Sequence, residues 1–218
     1  MLTLILTFAP SLLIFFYIVL SDKFREPTGM LISTVCLGFL LCLPAGILNE
    51  IFIFSQNEPE NFYFIAGFTE EILKFCAFWF LIRKRVEFNE PMDAIVYGTL
   101  ISLGFATYEN YEYVYLYSDD FNLTSLEIAQ VRAVTAVPLH AFCGIIMGYN
   151  LAIYFSRKTS IYLYLSILFP ILLHSFYNFI DNLYVTYIII IVSLIICVYL
   201  HQNLVRHQSK KDIEREFN

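Results

Sequence analysis

Glu70, Glu71 and Lys74, then Glu109 and Asn110, then His140, then His174 and Asn178 are polar or ionisable residues set in stretches otherwise apolar enough for lipid. An ionisable side chain at the centre of a bilayer costs roughly 3 kcal/mol or more, so such residues are rare there and by default mark a working site. Two kinds of chemistry suit these residue types. A carboxylate beside an imidazole can take the proton of a water attacking a peptide carbonyl. Two imidazoles with one or two carboxylates form a ligand set for zinc that leaves a position open for water. The sequence has no H-E-x-x-H, no Gly-rich phosphate loop and no basic aromatic patch for nucleic acid, and no Ser-His-Asp or Asp-Asp arrangement stands out among these stretches.

Lys74 lies four residues after Glu70 and three after Glu71, within pairing reach of both on a helix. Neighbouring helical residues point about 100° apart, so the two carboxylates divide the work. Glu70 is expected to do the chemistry and Glu71 to fix the helix through an ion pair with Lys74 or hydrogen bonds; a purely structural ion pair is the alternative. Phe105 and Tyr113 flank Glu109 at i−4 and i+4. Asn110 suits the site and an interhelical hydrogen bond equally. Pro138 removes a helix hydrogen bond next to His140, while Gly144 and Gly148 carry the spacing of a close helix contact. Arg132 is expected at the interface or on Glu127, with no role in the site. His174 and Asn178 share a helix face, the imidazole serving as base, acid or ligand and the amide as oxyanion donor or outer support. The expected catalytic set is Glu70, Glu71, Glu109, His140, His174 and Asn178. Glu109, His140 and His174 are the expected metal ligands. Zinc is the expected metal and a metal-free glutamate mechanism the alternative.

The elements that must position these groups are membrane helices. The chain is 59% hydrophobic and 15% charged, too little charge for a soluble surface at this length. An all-α polytopic bundle of seven spans is predicted: Leu2–Leu20, Gly29–Asn49, Asn61–Ile82, Pro91–Leu116, Val131–Phe155, Ile161–Ile180 and Leu183–Gln202. Residues 1–202 form one integral-membrane domain, with its catalytic core over about 61–180, and 203–218 form a short, charged, mobile tail. The first span lacks the flanks of a cleaved signal peptide and is expected to stay in the membrane. Eleven of the 13 basic residues fall in the first, third and fifth loops and the tail, while the alternate loops carry acids and no Lys or Arg. The positive-inside rule then places the N-terminus outside and the C-terminus in the cytoplasm. At 1.5 Å per residue, Glu70 and His140 lie about 14 Å from the outer helix ends and Glu109 and His174 about 9–10 Å, an outward-opening site. The five cysteines all fall in spans without a C-x-x-C pair, so they read as small apolar packing.

With these residues in hand, the chain resembles the PrsW family of bacterial intramembrane proteases, itself related to the CAAX prenyl endopeptidases and bacteriocin-immunity proteins. The matching pieces are Glu70-Glu71-x-x-Lys74, Gly104-Phe105-Ala-x-x-Glu109-Asn110-x-x-Tyr113, the segment from Arg132 to His140, and His174-x-x-x-Asn178. The resemblance implies a membrane protease, often classed as a metallopeptidase, that cuts membrane-anchored regulators such as anti-sigma factors on the extracytoplasmic side. Its partners would be a single-span membrane protein and the lipid bilayer, with no nucleic acid. The CAAX enzymes carry His where Glu109 stands, which disfavours prenyl-protein processing here. Two rival classes fit the buried polar residues: a proton- or cation-coupled transporter or channel, and a non-enzymatic scaffold or immunity protein.

The topology is testable by labelling intact cells that carry single introduced cysteines. Positions near Asp119 should react with an impermeant thiol reagent and positions near Lys158 should not; the reverse pattern would overturn the orientation and the outward-facing site together.

Overall fold

Lipid offers backbone groups no hydrogen bonds, so apolar runs of this length fold as helices. The computed structural model describes residues 1–118 and 123–216, with side chains as far as Gln208 in the last helix. Among these residues there is no strand. The helices are α1 (Leu2–Ser21), α2 (Thr28–Asn49), α3 (Phe64–Ala77), α4 (Pro91–Tyr111), α5 (Ser125–Val134), α6 (Ala136–Arg157), α7 (Ile161–Phe179) and α8 (Leu183–Glu216). Wider π turns over Glu50–Phe54, Phe78–Ile82 and Glu112–Leu116 extend α2, α3 and α4. Asp119 and Asp120, expected in an outer loop, lie outside the described residues.

The bundle is built around α4. Every residue from Met92 to Ala106 is buried, with α1, α2 and α6 packed around it and α7 joining α6 to α3. The exterior is apolar: Leu13, Phe16, Ile188, Ile191 and Ile195 are all exposed, a surface that suits lipid and would aggregate in water. Five helical stretches are long and apolar enough to cross a membrane: Leu2–Ser21, Thr28–Phe54, Ser125–Arg157, Ile161–Phe179 and Leu183–Gln208. The other two expected spans hold α3 and α4, whose apolarity is diluted by Glu70, Glu71, Lys74, Asp93 and Glu109. Much of that polar surface turns into the bundle, so neither helix has to look like a lipid-facing rod.

Two local features differ from the expected spans for identifiable reasons. The fifth span is broken at Thr135 (φ −123°, ψ −77°), between α5 and α6. Pro138 stands four residues after Val134, the last residue of α5; its ring clashes with the carbonyl at i−4 and it has no N–H to offer it. The break lets Arg132 and His140 approach the same centre from two differently directed helices. The last helix continues past Gln202 to Glu216, where a short mobile tail was expected. Gln208 is buried and its Nε2 donates to Asp22 Oδ1 at 2.8 Å, which ties the extension to the α1–α2 loop.

Glycines set the helix separations. A Cβ on Gly144 of α6 would stand 2.7 Å from the Gly98 carbonyl oxygen of α4, and one on Gly98 would stand 2.9 Å from the Gly144 oxygen. Gly148 meets the Ala94 carbonyl in the same way, as the small-residue spacing predicts. Gly67 lets α3 lie against the backbone of Ser175 in α7, next to His174. Gly144→Ala should therefore destabilise the protein by about 1–3 kcal/mol, since the two nearest facing atoms, in Gly98 and Thr99, are backbone and cannot repack. At Gly46 a Cβ meets nothing within 4 Å, so Gly46→Ala should leave thermal unfolding in detergent unchanged or slightly raised. Equal behaviour of the two variants would refute the close-contact account.

Candidate active site

Glu70, Glu71 and Lys74 project from α3 into the bundle, and all three are buried. Lys74 Nζ donates to Glu71 Oε1 at 2.7 Å and lies 3.8 Å from Glu70 Oε2. It also sits 2.9 Å from His140 Nδ1, on α6. Glu71 Oε1 is shared with His174 Nδ1, on α7, at 3.0 Å. The two imidazole rings meet edge to face with centroids 4.8 Å apart. Phe105 of α4 covers the group, 4.1 Å from the lysine nitrogen at its ring centroid.

Donor and acceptor logic fixes the protons. An ammonium only donates, so His140 Nδ1 accepts from Lys74 and the ring proton is on Nε2. That N–H donates to Glu109 Oε2 at 3.0 Å. On the other ring, Nδ1 carries the proton donated to Glu71, which leaves the lone pair on His174 Nε2. This nitrogen faces Glu70 Oε2 at 3.9 Å, too long for a hydrogen bond. Glu70 Oε2 and Glu71 Oε2 are both buried without a hydrogen-bond partner. Each imidazole is thus backed by a carboxylate: Glu71 behind His174 and Glu109 behind His140.

Glu109 is anchored by Arg132, for which no role in the site was expected. Arg132, at the end of α5, reaches Glu109 Oε2 at 2.5 Å and donates from Nε to Asn110 Oδ1 at 2.9 Å. Its guanidinium lies 3.9 Å from the centre of the Tyr113 ring. Asn110 then donates to the Thr7 carbonyl of α1 at 2.8 Å, the interhelical half of its two readings. Glu109 and Arg132 keep 16% and 13% of their side-chain surface, so the network comes nearest to the outside at this edge. Asn49, at the end of α2, was also not singled out; it donates to Glu70 Oε1 at 3.3 Å and accepts from Thr69 at 2.6 Å. An Arg and an Asn inside apolar helices were the available signals for both.

The structure therefore brings Glu70, Glu71, Glu109, His140 and His174 together and leaves Asn178 apart. Asn178 Nδ2 donates to the Tyr63 carbonyl at 3.3 Å, at the start of α3, and so joins α7 to α3 at their shared end.

The donors that fall together for a metal are Glu70, His140 and His174, whose ligand atoms lie within 4.8 Å of one another. This differs from the expected set in placing Glu70 where Glu109 was expected; Arg132 and His140 Nε2 already hold Glu109. Three features fit a divalent ion: the unpartnered Glu70 oxygen, the free His174 lone pair, and histidines oriented by carboxylates on their far nitrogens. Charge fits as well. With all three carboxyl groups (Glu70, Glu71, Glu109) ionised against two cations (Lys74, Arg132), the formal charge is −1 with both imidazoles neutral.

A model of the PrsW family intramembrane metalloprotease matches residues 26–201. The chain is 34% identical over 200 residues to Protease PrsW of Oceanobacillus iheyensis, covering 88% of each protein. It is 36% identical over 176 residues to Protease PrsW of Halalkalibacterium halodurans, 78% of each, and 34% identical over 180 residues to that of Bacillus subtilis, 79% of each. No solved structure matches it. A buried carboxylate–imidazole centre inside an apolar helical bundle, and similarity along most of the chain, lead to one conclusion: the chain belongs to the PrsW family and is a multi-pass endopeptidase of the bacterial cell membrane.

Proposed function

We propose that the protein cuts a single-span membrane protein on the extracytoplasmic side, a regulator of the anti-sigma-factor kind that the family resemblance implies. Seven spans with an outside N-terminus, α3 and α4 included, put the centre in the outer half of the membrane, where water is available. The observation that carries the chemistry is the pair Glu70 Oε2 and His174 Nε2. They face each other at 3.9 Å with no donor of the protein on either, inside a network that fixes everything around them.

Glu70, His140 and His174 would hold a zinc ion. When bound, zinc supplies Lewis-acid activation of water and of the scissile carbonyl. Glu71, whose Oε2 has no protein partner, takes the proton of the attacking water and returns it to the leaving amine. With His140 Nδ1 given over to the ion, Lys74 would keep its hydrogen bond to Glu71 and direct a freed N–H at the carbonyl oxygen as negative charge develops. Glu109 and Arg132 position His140, and Asn178 positions α7. In the metal-free alternative, Glu70 is the general base and His174 assists it.

Glu70→Gln and His174→Ala should each lower cleavage of a purified single-span substrate, scored by mass spectrometry, by about 10²–10⁴-fold. Asn178→Ala should lose far less. Thermal unfolding of Glu70→Gln and Asn178→Ala should stay near wild type, while His174→Ala, which strips buried Glu71 of a partner, should unfold at lower temperature; loss of folding with no cleavage by the wild type would favour a scaffold. Elemental analysis of active protein should find about one zinc per chain, with activity lost on chelation and restored by zinc. Full activity in a metal-free preparation would reject the ion and leave Glu70 with His174.

A further inference from the structure

A second acidic group sits at the opposite ends of the helices, on the face that carries the basic loops. Asp22 closes α1, Glu26 lies in the α1–α2 loop and Asp93 is the third residue of α4. All three are buried, Asp93 completely. One carboxylate oxygen of each lies within 4.8 Å of those of the other two. Among the described residues none of the three forms an ion pair.

Each carboxylate is held as an acceptor. Asp93 Oδ2 accepts the backbone N–H groups of Asn89 and Glu90 at 2.7 and 2.8 Å. Asp22 Oδ1 accepts from Phe24 N at 3.1 Å and from Gln208 Nε2 at 2.8 Å. Glu26 Oε2 accepts the Tyr97 hydroxyl in a short hydrogen bond. The remaining oxygen of the most buried one, Asp93 Oδ1, has no hydrogen-bond partner. Three buried carboxyl groups this close either share a proton or hold a cation. A cleft of about 490 Å³ opens at Glu26, lined in part by Phe24, Arg25 and Asn89 as well. It gives a hydrated ion a way in.

We propose that Asp22, Glu26 and Asp93 bind a hard divalent cation, Mg²⁺ or Ca²⁺, distinct from the metal of the active site. An all-oxygen set of carboxylates selects such ions over zinc, and room for retained water suits them. The ion joins the ends of α1 and α4. Gln208 extends the link to α8, since its amide touches both Asp22 and Glu90.

The test is thermal unfolding of the purified full-length protein in detergent at fixed zinc, titrated with Mg²⁺ and separately with Ca²⁺. One of them should raise the Tm saturably, by roughly 5–10 °C at a hundredfold excess over its Kd. Asp93→Asn and Glu26→Gln should abolish the shift, and Glu70→Gln at the active site should keep it. If Asp93→Asn fails to fold, Glu26→Gln and Mn²⁺ titration of the wild type followed by electron paramagnetic resonance carry the test. No saturable shift in the wild type would overturn the proposal and leave a shared proton between Glu26 and Asp93. A shift retained in Glu26→Gln, or lost in Glu70→Gln, would overturn it too.

Discussion

A lysine ammonium with no exposed surface sets the conditions for the rest of the bundle. Left alone at that depth, Lys74 would cost more than the fold can spare. It is tolerated because Glu71 lies at 2.7 Å, His140 at 2.9 Å and Glu70 at 3.8 Å. Those partners stand under the same constraint and need further partners in turn. Glu71 takes His174, His140 takes Glu109, and Glu109 takes Arg132, whose link to Asn110 ends on the backbone of α1. Breaking a buried pair from one side typically costs about 3–5 kcal/mol, so no member can move without loading its neighbour. The network is thus rigid because every polar atom in it but a few is committed.

Those few are where chemistry can happen. Glu70 Oε2, Glu71 Oε2 and His174 Nε2 are the atoms that the network positions without consuming. Precision at this point depends on backbone contacts some distance away. Gly67 seats α3 on α7 and Gly98 seats α4 on α6, while the break at Thr135 turns Arg132 and His140 toward one centre. A helix packed a methyl group further out would lengthen the short contacts beyond hydrogen-bonding range.

The architecture and most of this centre were legible in the sequence because intramembrane charge is so costly that each charged residue is informative alone. Glu70, Glu71, Glu109, His140 and His174 could all be named on that ground. Direction was less accessible. Two carboxylates on adjacent residues differ by about 100° in heading, and sequence does not say which one meets which histidine. Arg132 was read toward Glu127 because the helix break at Thr135, which redirects it to Glu109, is a response to Pro138 four residues after the end of α5. Asn178 shares a face with His174, yet the helix face continues past the centre to the Tyr63 carbonyl. The run-on of α8 beyond Gln202 was hidden for a similar reason. Its support is a contact between Gln208 and a loop some 186 residues earlier in the chain.

The same geometry constrains how the two histidines can serve. His174 presents a free nitrogen with its other nitrogen already tied to Glu71, the arrangement seen behind metal-ligating imidazoles generally. His140 is different, because both of its nitrogens are engaged, by Lys74 and by Glu109. Anything that binds through His140 Nδ1 has to displace the Lys74 ammonium, and anything that binds through Nε2 has to displace Glu109. The first exchange is the easier one: Glu70 Oε2, 3.8 Å from Nζ, can receive the ammonium, whereas Glu109 is clamped by Arg132 at 2.5 Å. Lys74 therefore competes for the nitrogen that a metal would use, and the affinity of this centre for an ion includes the cost of moving its own lysine.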